Sequence, residues 1–196
     1  MAKKESTFAN MLLTLVIVTA VAALALGGVY EATKGPIENN KKEKLNNALK
    51  QVLPEFNNDV SADKYTVAPE GGGDELIFYP AKKDGELVGM AVETWSMQGY
   101  SGLIRIIVGF LPDGTIHNIS VLQHAETPGL GDKMEKSKSD WSKQYNGKNP
   151  QTFQLKVTKD GGEVDAITAA TITSRAYSDA VQRAYDAFTK EMKGGE

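Results

Sequence analysis

The chain has 196 residues, with 22 Lys and Arg against 25 Asp and Glu, a formal net charge of −3, no cysteine and two histidines. Near-neutrality argues against a surface built to follow a phosphate backbone, so no nucleic-acid partner is expected. The lack of cysteine excludes disulfide frameworks, thiolate-held zinc or iron–sulfur centres and thiol nucleophiles. His117 and His124 are too few for a histidine metal site, so no metal is expected, and the chemistry falls to carboxylates, hydroxyls or a borrowed cofactor.

From Ser6 to Tyr30 the chain runs 25 residues without a charge, and Met11–Tyr30 as a helix spans about 30 Å, enough for a bilayer core. A cleaved signal peptide is the competing reading, with Ala23–Leu24–Ala25 as its small-residue site, but signal h-regions stop at about 7–15 apolar residues. A buried core helix is disfavoured, because so long a run has no polar face at all. Residues 1–30 therefore read as a tail and a retained single-pass transmembrane anchor, meeting the lipid bilayer through residues 8–30. Basic residues leave its orientation open. Lys3 and Lys4 precede it, while Lys34, Lys41, Lys42, Lys44 and Lys50 follow, and a count would keep the rest of the chain in the cytoplasm. Long domains, however, cross largely regardless of charge. The first 30 residues carry +1, which leaves −4 beyond them and no long-range attraction to anionic lipid. Gly27 and Gly28 would allow close packing against partner helices.

Beyond the anchor, Pro36 opens a predicted helix over 36–53, with Leu45, Ala48, Leu49 and Val52 at helical spacing and Pro54 as its stop. Residues 31–60 read as stalk helix and linker, and 61–196 as one domain of ordinary size. Residues 55–74 look irregular, with a short strand near Tyr65–Ala68. Gly71–Gly72–Gly73 reads as a flexible turn, since it lacks the lysine and hydroxyl of a phosphate loop. Apolar, β-branched runs follow: Leu76–Tyr79 and Leu87–Trp95 about Lys83–Asp84–Gly85, then Leu103–Leu111 and Thr115–Gln123 about Pro112–Asp113–Gly114. The Asp-Gly pairs mark hairpins of an antiparallel sheet. Lys133–Trp141 predicts a short charged helix, Thr152–Val157 a strand, and Asp160–Gly161–Gly162 a turn. Tyr177, Val181, Ala184 and Phe188 mark an amphipathic last helix ended by Gly194. Strands first and helices to one side imply an α+β fold without internal repeats. Asn118–Ile119–Ser120 matches a glycosylation acceptor by accident.

Two loops break this pattern. His124–Asp132 follows a strand; it reads either as a wide turn or as a place where Gly129 and Gly131 let backbone approach a planar ligand while Glu126 and Thr127 supply polar contacts, with His124 structural. Asp165–Ser174 leads into the last helix. Thr171, Thr173 or Ser174 could cap that helix, and the same small and hydroxyl residues suit a phosphate held by free N–H groups.

In these loops, Asp165-x-x-Thr168-Ala169-Ala170-Thr171 resembles the covalent flavinylation motif D-x-x-[ST]-G-A-[TS], with Ala169 where the family usually has glycine. Glu126–Gly131 (ETPGLG) resembles the companion signature of the same FMN-binding family, which comprises the G subunit of the Rnf-type ion-translocating oxidoreductase and the C subunit of the sodium-translocating NADH:quinone reductase. The resemblance covers essentially the whole chain, including Gln98–Gly99–Tyr100–Ser101–Gly102 before a strand, and the run Ala170–Ala176 is more similar to the Rnf protein.

The resemblance implies an FMN-binding domain over 61–196, with FMN joined to Thr171 through a phosphodiester by a separate flavin transferase that reads Asp165, Thr168, Ala170 and Thr171. Glu126, Thr127, Gly129, Leu130 and Gly131 would line the flavin ring, Thr168 and Thr173 would lie near the phosphate, and Ala170 would also bind the cofactor. Tyr100 or Trp95 would be the aromatic to stack on the ring, although a strand aromatic is more often core. Thr171 is then an attachment point, and no residue takes a catalytic role. The chain would be an electron-transfer subunit of a translocase, not an independent enzyme, with its domain on the periplasmic or extracytoplasmic side of the bacterial inner membrane. One uncharged anchor offers no ion path, so other membrane subunits of the complex would carry the cation. The rivals are the C subunit of the quinone reductase, an anchored non-redox binding module, and a free-standing flavin reductase.

Overall fold

The computed structural model of this chain describes residues 7–69 and 72–194. Lys3, Lys4 and Gly71, on which parts of the orientation and turn readings fall, lie outside the described residues. The chain divides into two compact units, Met1–Lys44 and Leu45–Glu196.

Helix α1 runs without a break from Phe8 to Val52. Its apolar residues from Met11 to Tyr30 are exposed on every side, and none of its most apolar stretch is buried. A helix that is apolar all round and unburied suits lipid, whereas a core helix would be buried. Pro36 lies inside α1 and does not open a separate helix as its position in the sequence predicts. A proline removes one backbone hydrogen bond, and the helix passes through it although Thr33, Gly35, Asn39 and Asn40 nearby are weak helix formers.

In the second unit, five strands form one antiparallel sheet in chain order: β1 Tyr65–Val67, β2 Leu76–Lys83, β3 Glu86–Gly99, β4 Gly102–Phe110 and β5 Ile116–Gln123. Asp84 and Gly85, with φ of 55° and 89°, make the tight turn between β2 and β3 in the doubly left-handed form that matches strand twist. Alternate side chains go to opposite faces. Met90, Val92, Ile104, Ile106, Val108 and Phe110 join one core with Tyr177, Val181, Ala184 and Phe188 of the last helix, α2 (Thr171–Gly194). Tyr79, Ala81, Ala91 and Ile107 join a second core with Ala48, Leu49, Val52 and Leu53 at the end of α1. A sheet covered on both faces needs apolar residues at successive positions, which is why the strands read as continuous runs and not as alternations.

Two more predicted elements differ, and one predicted turn is present. Lys133–Trp141 is not one helix but two 3₁₀ turns, Gly131–Met134 and Trp141–Tyr145, with irregular chain between. The Ser139 hydroxyl donates to the Lys133 carbonyl and accepts from the Trp141 N–H, so a side chain competes with the helical ladder. Thr152–Val157 is not a strand. Leu155 and Val157 are buried, but the backbone turns on Asn149 and makes only an isolated bridge between Val157 and Val164. Alternating apolar residues specify one buried side, not a pairing partner. Asp160–Gly161–Gly162 ends a 3₁₀ turn over Thr158–Asp160, with Gly161 left-handed.

The sheet meets its second layer most closely at Gly109, where a Cβ would collide with the Val52 carbonyl. Gly109→Ala is therefore expected to destabilise the second unit by about 3 kcal/mol, at the upper end of overpacking costs. A lowered urea midpoint with an unchanged slope would record it.

Candidate functional site

The antiparallel order sets the site. β4 starts at the turn from β3, and β5 returns to the same end, pairing Gln123 with Arg105. The loop after β5 therefore emerges beside residues 99–102. In it, Thr127–Leu130 forms a turn closed by the Leu130 N–H on the Thr127 carbonyl (3.1 Å), with Pro128 second and Gly129 third at φ 79°, the type II pattern. Asp132 braces it by accepting from the Gly129 N–H at 2.7 Å. His124 is structural: its Nδ1 accepts the Glu126 N–H (3.1 Å) while Nε2 faces Glu135 Oε1 (3.1 Å), which makes Nε2 the protonated nitrogen.

Glu126 sits at the centre, 4% exposed. Its Oε1 accepts the Ser101 N–H at 2.9 Å and its Oε2 accepts the Thr173 hydroxyl, so one carboxylate joins the β3–β4 turn, the loop after β5 and the first turn of α2. α2 has no acidic residue of its own in that turn, and Glu126 supplies the negative charge that its N-terminus favours. Two glycines make room: a Cβ would lie 2.8 Å from Oε1 on Gly99 and 2.7 Å from Oε2 on Gly131.

The second loop is also tightly held. Ile167–Ala170 is a turn closed by the Ala170 N–H on the Ile167 carbonyl (2.9 Å), and Ala169 stands third in it with φ 62°. Positive φ at that position alone is again type II, a place that favours glycine. No hydroxyl caps α2. Ser174 turns its buried hydroxyl back to accept the Ile167 N–H and donate to the Ala170 carbonyl, while Thr173 is committed to Glu126. The Thr171 hydroxyl has no hydrogen-bond partner among the described residues. The N–H groups of Thr171, Ile172 and Thr173 have no partner within the helix. Upstream, Asp165 is gripped by its backbone, with its N–H on Gln144 Oε1 (2.8 Å) and its carbonyl accepting from Gln144 Nε2 and the Trp141 indole. Trp141 is wedged edge-on against Tyr145 and Tyr177. Burial pushes both tyrosine phenols above their ordinary range. Further on, Arg175 grips Asp160 through two hydrogen bonds of 2.7 and 2.8 Å and holds its carboxyl below the usual carboxylate range.

Both loops face one open cavity of about 550 Å³, lined by Tyr100, Glu126, Thr127, Leu130, Gly131 and residues 169–173. Of the predicted residues, Tyr100, Glu126, Thr127, Leu130, Gly131, Ala170, Thr171 and Thr173 meet there. Gly129, Thr168 and Asp165 stand outside its lining on the same loops, and Trp95 is elsewhere, bonded to the Asp74 carbonyl and covered by Arg183. Gln144 also builds the site without being singled out by the sequence; Gly99 and Ser101 enter only as part of the stretch before β4, and Ser174, read as a possible cap, holds the preceding turn instead. A groove of about 580 Å³ beside α2 contains none of the motif residues. Among the described residues of the second unit, the exposed large apolar side chains are Met97, Tyr100, Leu130 and Ile172, and the last three line the cavity. Such a cavity, apolar at its rim with a free hydroxyl and helix N–H groups within, fits a planar ring carrying a phosphate.

The profile of the FMN-binding domain family matches residues 99–186, from the end of β3 through both loops into α2. Proteins named as the G subunit of an ion-translocating oxidoreductase complex are similar over most of the chain. That of Erwinia tasmaniensis is 38% identical over 177 residues, covering 87% of this chain and 84% of its own. That of Shewanella piezotolerans is 35% identical over 190 residues, covering 93% and 89%. That of Shewanella amazonensis is 40% identical over 182 residues, covering 89% and 84%.

Thr173→Val is expected to cost about 2 kcal/mol, because it strips a buried carboxylate of one of its two donors. Ala169→Gly is expected to stabilise the chain by about 1 kcal/mol by relieving a left-handed alanine. Chemical unfolding of the two variants beside the native chain checks both signs.

Proposed function

This chain belongs to the FMN-binding family formed by the G subunits of ion-translocating oxidoreductase complexes, and on that footing we propose that it is a membrane-anchored electron-transfer subunit of an Rnf-type complex, with FMN held by a phosphodiester on Thr171. The observation that carries the reading is the Thr171 hydroxyl, without a hydrogen-bond partner among the described residues, at the first position of α2 in a cavity shared by the two motif loops. Attachment needs a flavin transferase and an activated flavin phosphate, a pyrophosphate ester. The Thr171 oxygen forms a bond to the flavin-side phosphorus, the phosphoanhydride bond breaks, the other phosphate half leaves, and the hydroxyl proton passes to a base. No electron is gained or lost.

When bound, FMN supplies one- and two-electron chemistry. This chain's residues hold and orient it. The N–H groups at the start of α2 favour the phosphate, Tyr100, Leu130 and Ile172 offer apolar surface to the ring, and Glu126 keeps the loop after β5 against the helix. A covalent tether also removes the dissociation equilibrium. The long apolar helix supports membrane anchoring. With no charge between Ser6 and Tyr30 it offers no ion path, so partner membrane subunits carry the cation while ferredoxin and NAD redox chemistry drives it. The domain then faces the extracytoplasmic side. The names of the relatives favour this complex over the sodium-translocating quinone reductase.

The test is to make the full chain together with a flavin transferase, denature it, and look for flavin fluorescence with the protein band on a gel. Fluorescence in the native chain, its loss in Thr171→Ala, and a mass gain of FMN less one water on the Thr171 peptide are the expected results. A dark native band, or a fluorescent Thr171→Ala band, overturns the attachment.

A further inference from the structure

The two type II turns that flank the cavity differ at one point. Thr127–Leu130 has glycine at its left-handed position, whereas Ile167–Ala170 has Ala169 there, at φ 62°. A free chain with glycine visits that conformation readily, and one with alanine rarely. Such a residue persists only where its surroundings over-determine it. Here they do. The fully buried Ser174 hydroxyl bridges the two ends of the turn, accepting from the Ile167 N–H at 2.9 Å and donating to the Ala170 carbonyl at 3.0 Å. Gln144 pairs with both backbone groups of Asp165, at 2.8 and 3.2 Å, and the Trp141 indole adds a third bond. These three residues lie outside Asp165–Thr171. They spend their hydrogen bonds on its backbone and leave its side chains outward: Asp165, Thr168 and Ala169 are exposed, and the Asp165 carboxylate has no partner among the described residues.

We propose that the flavin-transferase acceptor of this chain is a folded epitope: Ser174 and Gln144 are positioning residues that impose on Asp165–Thr171 the left-handed turn that alanine at 169 does not take unaided. This rests on attachment at Thr171. Where glycine stands third in the turn, the segment carries its own shape; here the tertiary structure supplies it, so the domain folds first and is modified afterwards. The same clamp directs the Asp165 carboxylate to solvent and the Thr171 hydroxyl to the cavity, at opposite ends of one rigid segment.

The experiment measures the initial rate of FMN incorporation into the full-length protein in detergent, by fluorescence of the denatured band, with purified flavin transferase and FAD. Ser174→Ala is expected to slow labelling about tenfold, the scale set by the left-handed preference lost, and Gln144→Ala to slow it several-fold. Adding Ala169→Gly to either is expected to restore most of the rate at a temperature where parent and double variant are equally folded, so that the stabilisation by glycine does not account for the rescue. Circular dichroism melts establish that each variant is folded. If Ser174→Ala does not fold, Gln144→Ala with the same rescue decides the matter. Folded variants labelled at the native rate, or double variants no faster than their parents, overturn the proposal while leaving attachment intact. An unlabelled native chain overturns both.

Discussion

The site depends on one buried carboxylate. Glu126 is nearly removed from water, and a charge in that position is tolerated only when donors replace the water it has lost. The donors come from elsewhere in the chain: the Ser101 N–H, 25 residues before it, and the Thr173 hydroxyl, 47 residues after it. Satisfying one side chain therefore brings a strand turn, a loop and a helix start together. The crowding explains the glycines beside it. Gly131 lines the cavity, and its missing side chain also leaves room for Glu126 and Thr173, while Gly99 leaves room for Glu126 from the other side.

The sheet provides the frame on which this clamp works. Its antiparallel order returns β5 to the end where β4 begins, so the distance from Ser101 to Glu126 follows from topology and not from loop conformation. Covering both faces, by α2 and by the last turns of α1, removes the freedom of the strands to slip, since a shift of one residue would exchange the two cores. Gly109 against Val52 and Gly89 against Pro54 mark how closely the second layer lies. The end of α1 thus has a role distinct from its apolar span.

Much of the fold is legible in the sequence because its signals are local. An uncharged run of bilayer length, Asp-Gly turns between β-branched runs, and Tyr177, Val181, Ala184 and Phe188 at helical spacing each report a pattern that short-range sterics and burial enforce. The departures share a cause too. At Lys133–Trp141 and Thr152–Val157 the periodicity is present, but Ser139 and Asn149 take backbone groups that a helix or strand would use. Pro36 reads as a boundary because a local rule cannot weigh the helix on either side of it.

For the site, residue order alone is enough to show where the chemistry lies: Thr171 and its neighbours, Glu126 with its glycines, and no cysteine or histidine cluster to compete with them. Motif spacing conveys this because the residues of each loop are adjacent in the chain. How they are used follows from folding in three dimensions. The fold consumes the Thr173 hydroxyl on Glu126, leaves that of Thr171 without a partner among the described residues, removes Trp95 from the cavity and brings in Tyr100. It also enlists Gln144 and Ser174 to hold an alanine where a glycine would be at ease. Hydrogen bonds between distant segments leave no periodicity, so a buried hydroxyl that bridges a turn cannot be told from any other serine until the chain is folded.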